Sequence, residues 1–198
     1  MNKFDKDSVT FSLREIREKA DNFRQKQWPQ ESIPIDIEII LEKMGFILEP
    51  VHNIKRDSDT ISCLSPDLKT ISIDIETMLD ERQAFLLRFS LAHELGHYVL
   101  HRPFFEHQKE QNFKTIQQWI SFVRDCSSQN ILPEYFEQSA DEFAGRFLVP
   151  QNHLEQESKN ILKKTYTKEL KSQNQSFLWV KNDFVDGSKY ALLFIQCS

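Results

Sequence analysis

Between Ile37 and Met44 the apolar residues Ile37, Ile40, Leu41 and Met44 fall at i, i+3, i+4 and i+7. That stripe predicts a helix after Pro34, and Gly45 stands where a C-terminal cap belongs. Upstream, Leu13 to Gln27 reads as a charged helix of good helix formers, docked by a few apolar positions. Phe46 to Pro50 predicts a strand stopped by its proline. Ile61–Leu64 and Ile71–Asp74 are short β-branched runs around the turn residues Ser65-Pro66-Asp67, which predicts a hairpin.

A long helix is expected from about Glu81 to His101, ended by Pro103. In 104–133, the spacing of Ile116, Trp119, Ile120 and Val123 predicts one helix between loops. Another helix begins near Pro133, carries Ala140, Phe143, Ala144, Phe147 and Leu148 on one side, and ends before Pro150. Gly145 within it is expected to let the helix approach a neighbour closely. Phe177–Val180 and Tyr190–Ile195 flank Asp186-Gly187, the signature of a second hairpin. The fold class is therefore α+β, with one domain over 1–165 and a C-terminal β-hairpin extension over 166–198, packed on the same domain.

Composition narrows the choice of chemistry. Of 198 residues 39% are hydrophobic and 16 are Phe, enough apolar surface for a core, which excludes a disordered reading. A net charge of -5 argues against broad electrostatic binding to nucleic acid, so no direct nucleic-acid binding is expected. The charged start Met1-Asn2-Lys3 has no apolar run behind it, and no stretch is long enough to span a bilayer, so the expected location is cytoplasmic. Cys63, Cys126 and Cys197 are odd in number and widely spaced, which suits plain thiols.

The candidate chemistry sits at His93-Glu94-Leu95-Gly96-His97. Two histidines four apart on a helix leave the same face and can share one tetrahedral Zn2+. Glu94 lies close enough to take a proton from a coordinated water. Leu91, Ala92 and Leu95 around the motif are apolar, so the site is expected to be partly buried. A third ligand is required. His101 continues the ladder from His97 but lies about two turns from His93, and otherwise reads as a helix-terminal histidine favourable to the macrodipole. Glu137 is the better candidate. Glu137 and Asp141 are again four apart on a helix, so Glu137 can bind the metal while Asp141 fixes a histidine tautomer. The plainer alternative is a pair of carboxylates solvating a helix face.

These residues, with Tyr98-Val99-Leu100-His101, the Ala140-Asp141-x-Phe143-Ala144 core and the Leu148-Val149-Pro150 end, resemble the ImmA/IrrE family of metallo-endopeptidases. The resemblance is strongest over 85–150 and weaker, but consistent in element order, from about residue 30. It implies a zincin-like domain whose active-site helix packs on a small twisted sheet. It implies His93, His97 and Glu137 as ligands, Glu94 as general base, and a helix-turn-helix repressor as the protein cleaved. Asp141 stands where that family more often has Asn, and Ser139 where it commonly has another Glu. The separation of His97 from Glu137 is longer than usual for the family, which marks 104–133 as an elaboration.

An oxyanion donor is also needed, and Tyr98, Tyr135, His107 and His153 are the candidates. The 61–74 hairpin can offer an edge strand to an extended peptide, or be an ordinary strand. Mn2+ or another divalent ion can replace zinc on a His/His/Glu set. The competing reading is a regulatory module that keeps the metal and a peptide groove but turns over little or nothing.

Overall fold

A computed structural model describes residues 4–172, apart from 31, 109, 110 and 112; for 163–172 it describes the helix backbone alone. The chain divides into two compact units, residues 1–149 and 150–198. The second unit is described as one helix, α9 (Gln151–Ser172), and the expected boundary at 165/166 falls inside it. The expected C-terminal hairpin lies outside the described residues. Among the described residues no helix is long and apolar enough to cross a membrane.

The first unit is mostly helical around a three-stranded sheet, and so α+β. Its elements are α1 (Leu13–Gln27), α2 (Ile37–Lys43), β1 (Ile47–Val51), α3 (Ile54–Ser58), β2 (Ser62–Leu64), β3 (Thr70–Asp74), α4 (Ile75–Leu79), α5 (Ala84–Leu100), α6 (Arg102–Gln108), α7 (Ile116–Ser128) and α8 (Phe136–Leu148). The strand order is β1-β3-β2, with β1 parallel and β2 antiparallel to β3.

Local chemistry accounts for most of these boundaries. Ser12 and Glu15 form a reciprocal capping box at the start of α1. At the end of α2, Phe46 N–H donates to Leu41 O and Gly45 N–H to Glu42 O, while Gly45 takes φ +79°. This Schellman closure turns the chain directly into β1. Asp74, buried, caps α4 by accepting from Thr77 and also accepts from Lys55 N–H, which ties α3, β3 and α4 together.

One proline expectation needs correction. β1 continues through Pro50 to Val51, because it is an edge strand paired only with β3 and a missing N–H is tolerated there. At Pro103 the expectation holds: α5 ends at Leu100 with His101 as its cap, and a separate helix, α6, starts at Arg102. Pro103 lies in the first turn of α6, where its absent N–H costs nothing. The 104–133 stretch accordingly holds most of α6 as well as α7.

The core runs from the sheet, through Leu64, Ile71 and Ile73, to Leu91, Ala92 and Leu95 of α5 and on to Phe143, Ala144 and Phe147 of α8. Behind it, Phe104, Phe105, Trp119 and Phe136 form an aromatic cluster at centroid separations of 5.5–6.0 Å. Each such ring contributes about 1.5–3 kcal/mol by leaving water.

The docking of α1 on α8 is more polar than apolar patterning suggests. Arg17 meets Glu142 at 2.6 Å and Asp21 meets Arg146 at 2.6 Å, at the margins. Further along both helices, Arg24 is buried and donates Nη1–H to Phe147 O at 2.9 Å, capping the C-terminus of α8. Arg24→Met removes this charged donor and strands a buried carbonyl. It is expected to destabilise the protein by about 1.5–3 kcal/mol, read from urea unfolding; a loss under about 0.5 kcal/mol excludes the cap as a stabilising contact.

Candidate metal centre

The i, i+4 spacing of His93 and His97 puts both rings on the side of α5 that faces α8. There the two helices come close because residue 96 is glycine. A Cβ at Gly96 would lie 2.9 Å from Ala140 O and 3.0 Å from Ala140 Cα. The expected close approach at Gly145 is not found: a Cβ there would meet nothing within 4 Å. The contact belongs to Gly96, inside the histidine motif itself.

Across this narrow interface three potential ligand atoms converge. His93 Nε2 and His97 Nε2 are 2.9 Å apart, and each lies 3.3 Å from Glu137 Oε2. Tetrahedral zinc, with bonds of about 2.0–2.1 Å, holds its ligand atoms about 3.4 Å apart. The two contacts to Glu137 already match that spacing, and the histidines need to spread by a few tenths of an ångström. His93, His97 and Glu137 could therefore hold a metal ion. His97 is buried, His93 partly so, and Glu137 and Asp141 are exposed, so the cluster opens to solvent on the α8 side.

The outer ring nitrogens are engaged too. His93 Nδ1 lies 2.8 Å from Asp141 Oδ1, the contact expected from the 137/141 spacing. His97 Nδ1 lies 2.9 Å from Nδ1 of His101. His101 is fully buried rather than a solvated residue at a helix end, because its carbonyl begins α6 at once and Phe136 stacks on its ring at 3.9 Å. Its Nε2 lies 3.0 Å from Ser139 Oγ. Burial, with His97 beside it, drives His101 well below the ordinary histidine range.

Protonation is shared across the cluster. Burial works against a charge on His93, but hydrogen bonds to Asp141 and Glu137 prevail and raise its pKa to about 10. Although the Glu137 side chain is largely exposed, packing around its carboxyl group disfavours the charge, yet His97 and His93 beside it hold it well below the usual carboxylate range. The metal-free site is thus a protonated histidine against a carboxylate at neutral pH. An ion entering it displaces the proton on His93, which a solution more alkaline than pH 10 would already have removed. Zinc affinity is therefore expected to rise about tenfold per pH unit between pH 6 and 8, measured by chelator competition; an affinity flat with pH contradicts the proton displacement.

Glu94 is buried beneath the histidines and faces the sheet. Its Oε2 accepts the Leu64 N–H at 2.7 Å and its Oε1 accepts Ser62 Oγ–H at 3.0 Å. Ser90 Oγ lies 2.8 Å from Ser62 Oγ, which leaves Ser90 as the donor to Ser62. Burial raises the Glu94 pKa, while His93, His97 and the bonds from Leu64 and Ser62 pull the other way. The carbonyl of Leu64 accepts the Trp119 indole N–H of α7 at 2.8 Å. Both backbone groups of Leu64 on the edge strand β2 are therefore taken by side chains.

The remaining sequence candidates are scattered. Tyr98 packs edge-on against Phe46 at 5.1 Å with Arg102 over its face, and no hydrogen bond or ring contact joins it to the cluster. His107 lies on α6 against Phe4 and Gln108. Tyr135 is 64% exposed at the head of α8, two positions before Glu137. His153 lies on α9 in the second unit. Cys63 and Cys126 are free thiols that burial makes harder to ionise, and Cys197 lies outside the described residues.

His101, Ser139, Ser62 and Trp119 are the site neighbours that sequence reasoning missed as such. The i+4 ladder did point at His101, but as a rejected ligand rather than as the partner of one. In comparisons with known proteins, no family model, no curated protein and no solved structure matches the chain.

Proposed function

We propose that the chain is a zinc-dependent endopeptidase of zincin-like fold, with His93, His97 and Glu137 as ligands and Glu94 as general base. The observation that carries the reading is the convergence of Nε2, Nε2 and Oε2 on one point, with a buried carboxylate one residue along the same helix. A divalent ion held there supplies Lewis acidity and lowers the pKa of a coordinated water towards neutrality.

The other roles belong to the chain. His93, His97 and Glu137 fix where the scissile carbonyl sits. Glu94 takes the water's proton and returns it to the leaving amine, a task suited to a carboxylate whose pKa burial has raised. Asp141 holds the His93 ring through Nδ1, so that Nε2 faces the ion. Among the sequence candidates, Tyr135, exposed and two positions before Glu137, is the one we assign as oxyanion donor.

The substrate class rests on the ImmA/IrrE resemblance: a helix-turn-helix repressor, cleaved in the cytoplasm without contact between enzyme and DNA. Protein purified without chelators is expected to carry about one equivalent of a divalent metal, zinc or manganese, by elemental analysis. Less than about half an equivalent removes the ligand set from consideration. Metal-loaded protein should cut such a repressor at a defined bond, and phenanthroline should stop it.

A second reading has an observation in its favour. Both carboxylate oxygens of Glu94 are bonded to β2, as suits a metal-containing, peptide-binding module with little or no turnover. Tight repressor binding by metal-loaded protein, with no cleavage product over hours, would select it.

A further inference from the structure

We propose that His101 and Ser139 are positioning residues that lock His97 into the tautomer whose Nε2 presents its lone pair to the metal. The inference rests on the metal-site reading above. It follows from the direction of one hydrogen-bond chain, worked out from its far end.

Ser139 Oγ lies 2.8 Å from Phe136 O, and a backbone carbonyl can only accept, so the hydroxyl proton points there. Ser139 Oγ is then left to accept from His101 Nε2 at 3.0 Å, which places the His101 proton on Nε2. The direct partners of His101 are His97, Ser139 and the Phe136 ring, none of them anionic, and the residue is fully buried. It is therefore neutral, and its Nδ1 carries a lone pair. Only His97 can donate across the 2.9 Å Nδ1···Nδ1 contact. His97 thus holds its proton on Nδ1, and Nε2 is bare toward His93 and Glu137.

The two histidine ligands are consequently held in different ways. Asp141 supplies a charged acceptor to His93, whereas His97 relies on a neutral ring kept in plane by Phe136. Beyond His101 at the end of α5, the three anchoring groups come from α8: Ser139 and Asp141 by side chain, Phe136 by carbonyl and ring. Together with Glu137, one short stretch of α8 supplies a ligand and orients the other two.

The test uses the 198-residue chain, stripped and reloaded, with zinc affinity read by competition against a chromophoric chelator. His101→Phe keeps an aromatic ring on Phe136 but offers no acceptor, and is expected to weaken zinc by about 10–100-fold. His101→Asn puts an amide oxygen near the place of Nδ1 and is expected to return affinity to within about threefold of the parent. Ser139→Ala should weaken zinc by about 3–10-fold, because His101 loses the bond that sets its tautomer. Metal-free unfolding midpoints check that each variant folds, and if His101→Phe does not, Ser139→Ala decides. Parent-like affinity in both His101→Phe and Ser139→Ala overturns the proposal. Equal weakening in His101→Phe and His101→Asn also overturns it, since ring packing alone would then account for the loss. A parent chain that binds no zinc overturns the metal-site reading, and this inference with it.

Discussion

On the proposed function, Glu94→Gln should keep zinc and lose peptidase activity, with the cleavage rate falling by about 10²–10⁴-fold. The substitution is conservative for the fold. A glutamine carbonyl can accept the Leu64 N–H as Oε2 does, and its amide can donate to Ser62 Oγ in place of accepting from it. Neither ligand histidine contacts Glu94 through a hydrogen bond, so the metal shell is untouched. What disappears is the capacity to take a proton. Two readings are needed on one preparation: metal content by elemental analysis, and cleavage of a helix-turn-helix repressor over time. Unchanged cleavage by a zinc-loaded variant would falsify the base assignment. Loss of zinc together with activity would instead show that Glu94 supports the shell.

Gly96→Ala should have the other large effect, and it should appear in metal affinity more than in stability. The added Cβ would meet backbone atoms of Ala140 at 2.9 and 3.0 Å, so α8 has to recede from α5. Such overpacking costs about 1–3 kcal/mol, partly offset by the roughly 1 kcal/mol that alanine gains over glycine within a helix. A net loss of about 0–2 kcal/mol in metal-free unfolding is therefore expected. The metal is less tolerant. A working site needs its distances within about 0.2 Å, and Glu137 moves with Ala140 on the same helix, so zinc should bind at least about tenfold more weakly. Gly145→Ala is the control. It meets no atom, lies on an exposed face, and should stabilise by about 0.5–1 kcal/mol without changing zinc binding. Similar zinc affinities in both variants would show that the interhelical gap at Gly96 does not set the site.

These two glycines illustrate where sequence reasoning succeeds and where it stops. Apolar spacing located α2, α7 and α8, helix-forming composition located α1, and turn residues located the β2–β3 hairpin, because all of these are local signals. The i, i+4 pairs at 93/97 and 137/141 were legible for the same reason, as helical geometry alone puts each pair on one face. Which glycine brings the helices together was not legible. Gly96 and Gly145 are alike in sequence, and only the placement of Ala140 against one of them separates the two. His101 shows the same limit: whether a histidine at a helix end is solvated depends on Phe136 and Ser139, more than thirty residues away. Pro50 was misread because a proline's effect depends on whether its N–H would have had a partner, and on the edge strand β1 it would not.

On the proposed peptidase function, the Leu64 contacts would let the site tell long chains from short ones. An extended polypeptide that pairs with β2 at this residue must exchange with both occupants, bringing a carbonyl in place of Glu94 Oε2 and an N–H in place of the Trp119 indole. The first exchange releases the carboxylate, so recognition at the strand and liberation of the proton acceptor become a single event. A dipeptide that reaches only the histidines leaves that latch fastened. Discrimination by length would then be read in turnover rather than in binding, with the interactions of distant residues spent on unlocking the chemistry.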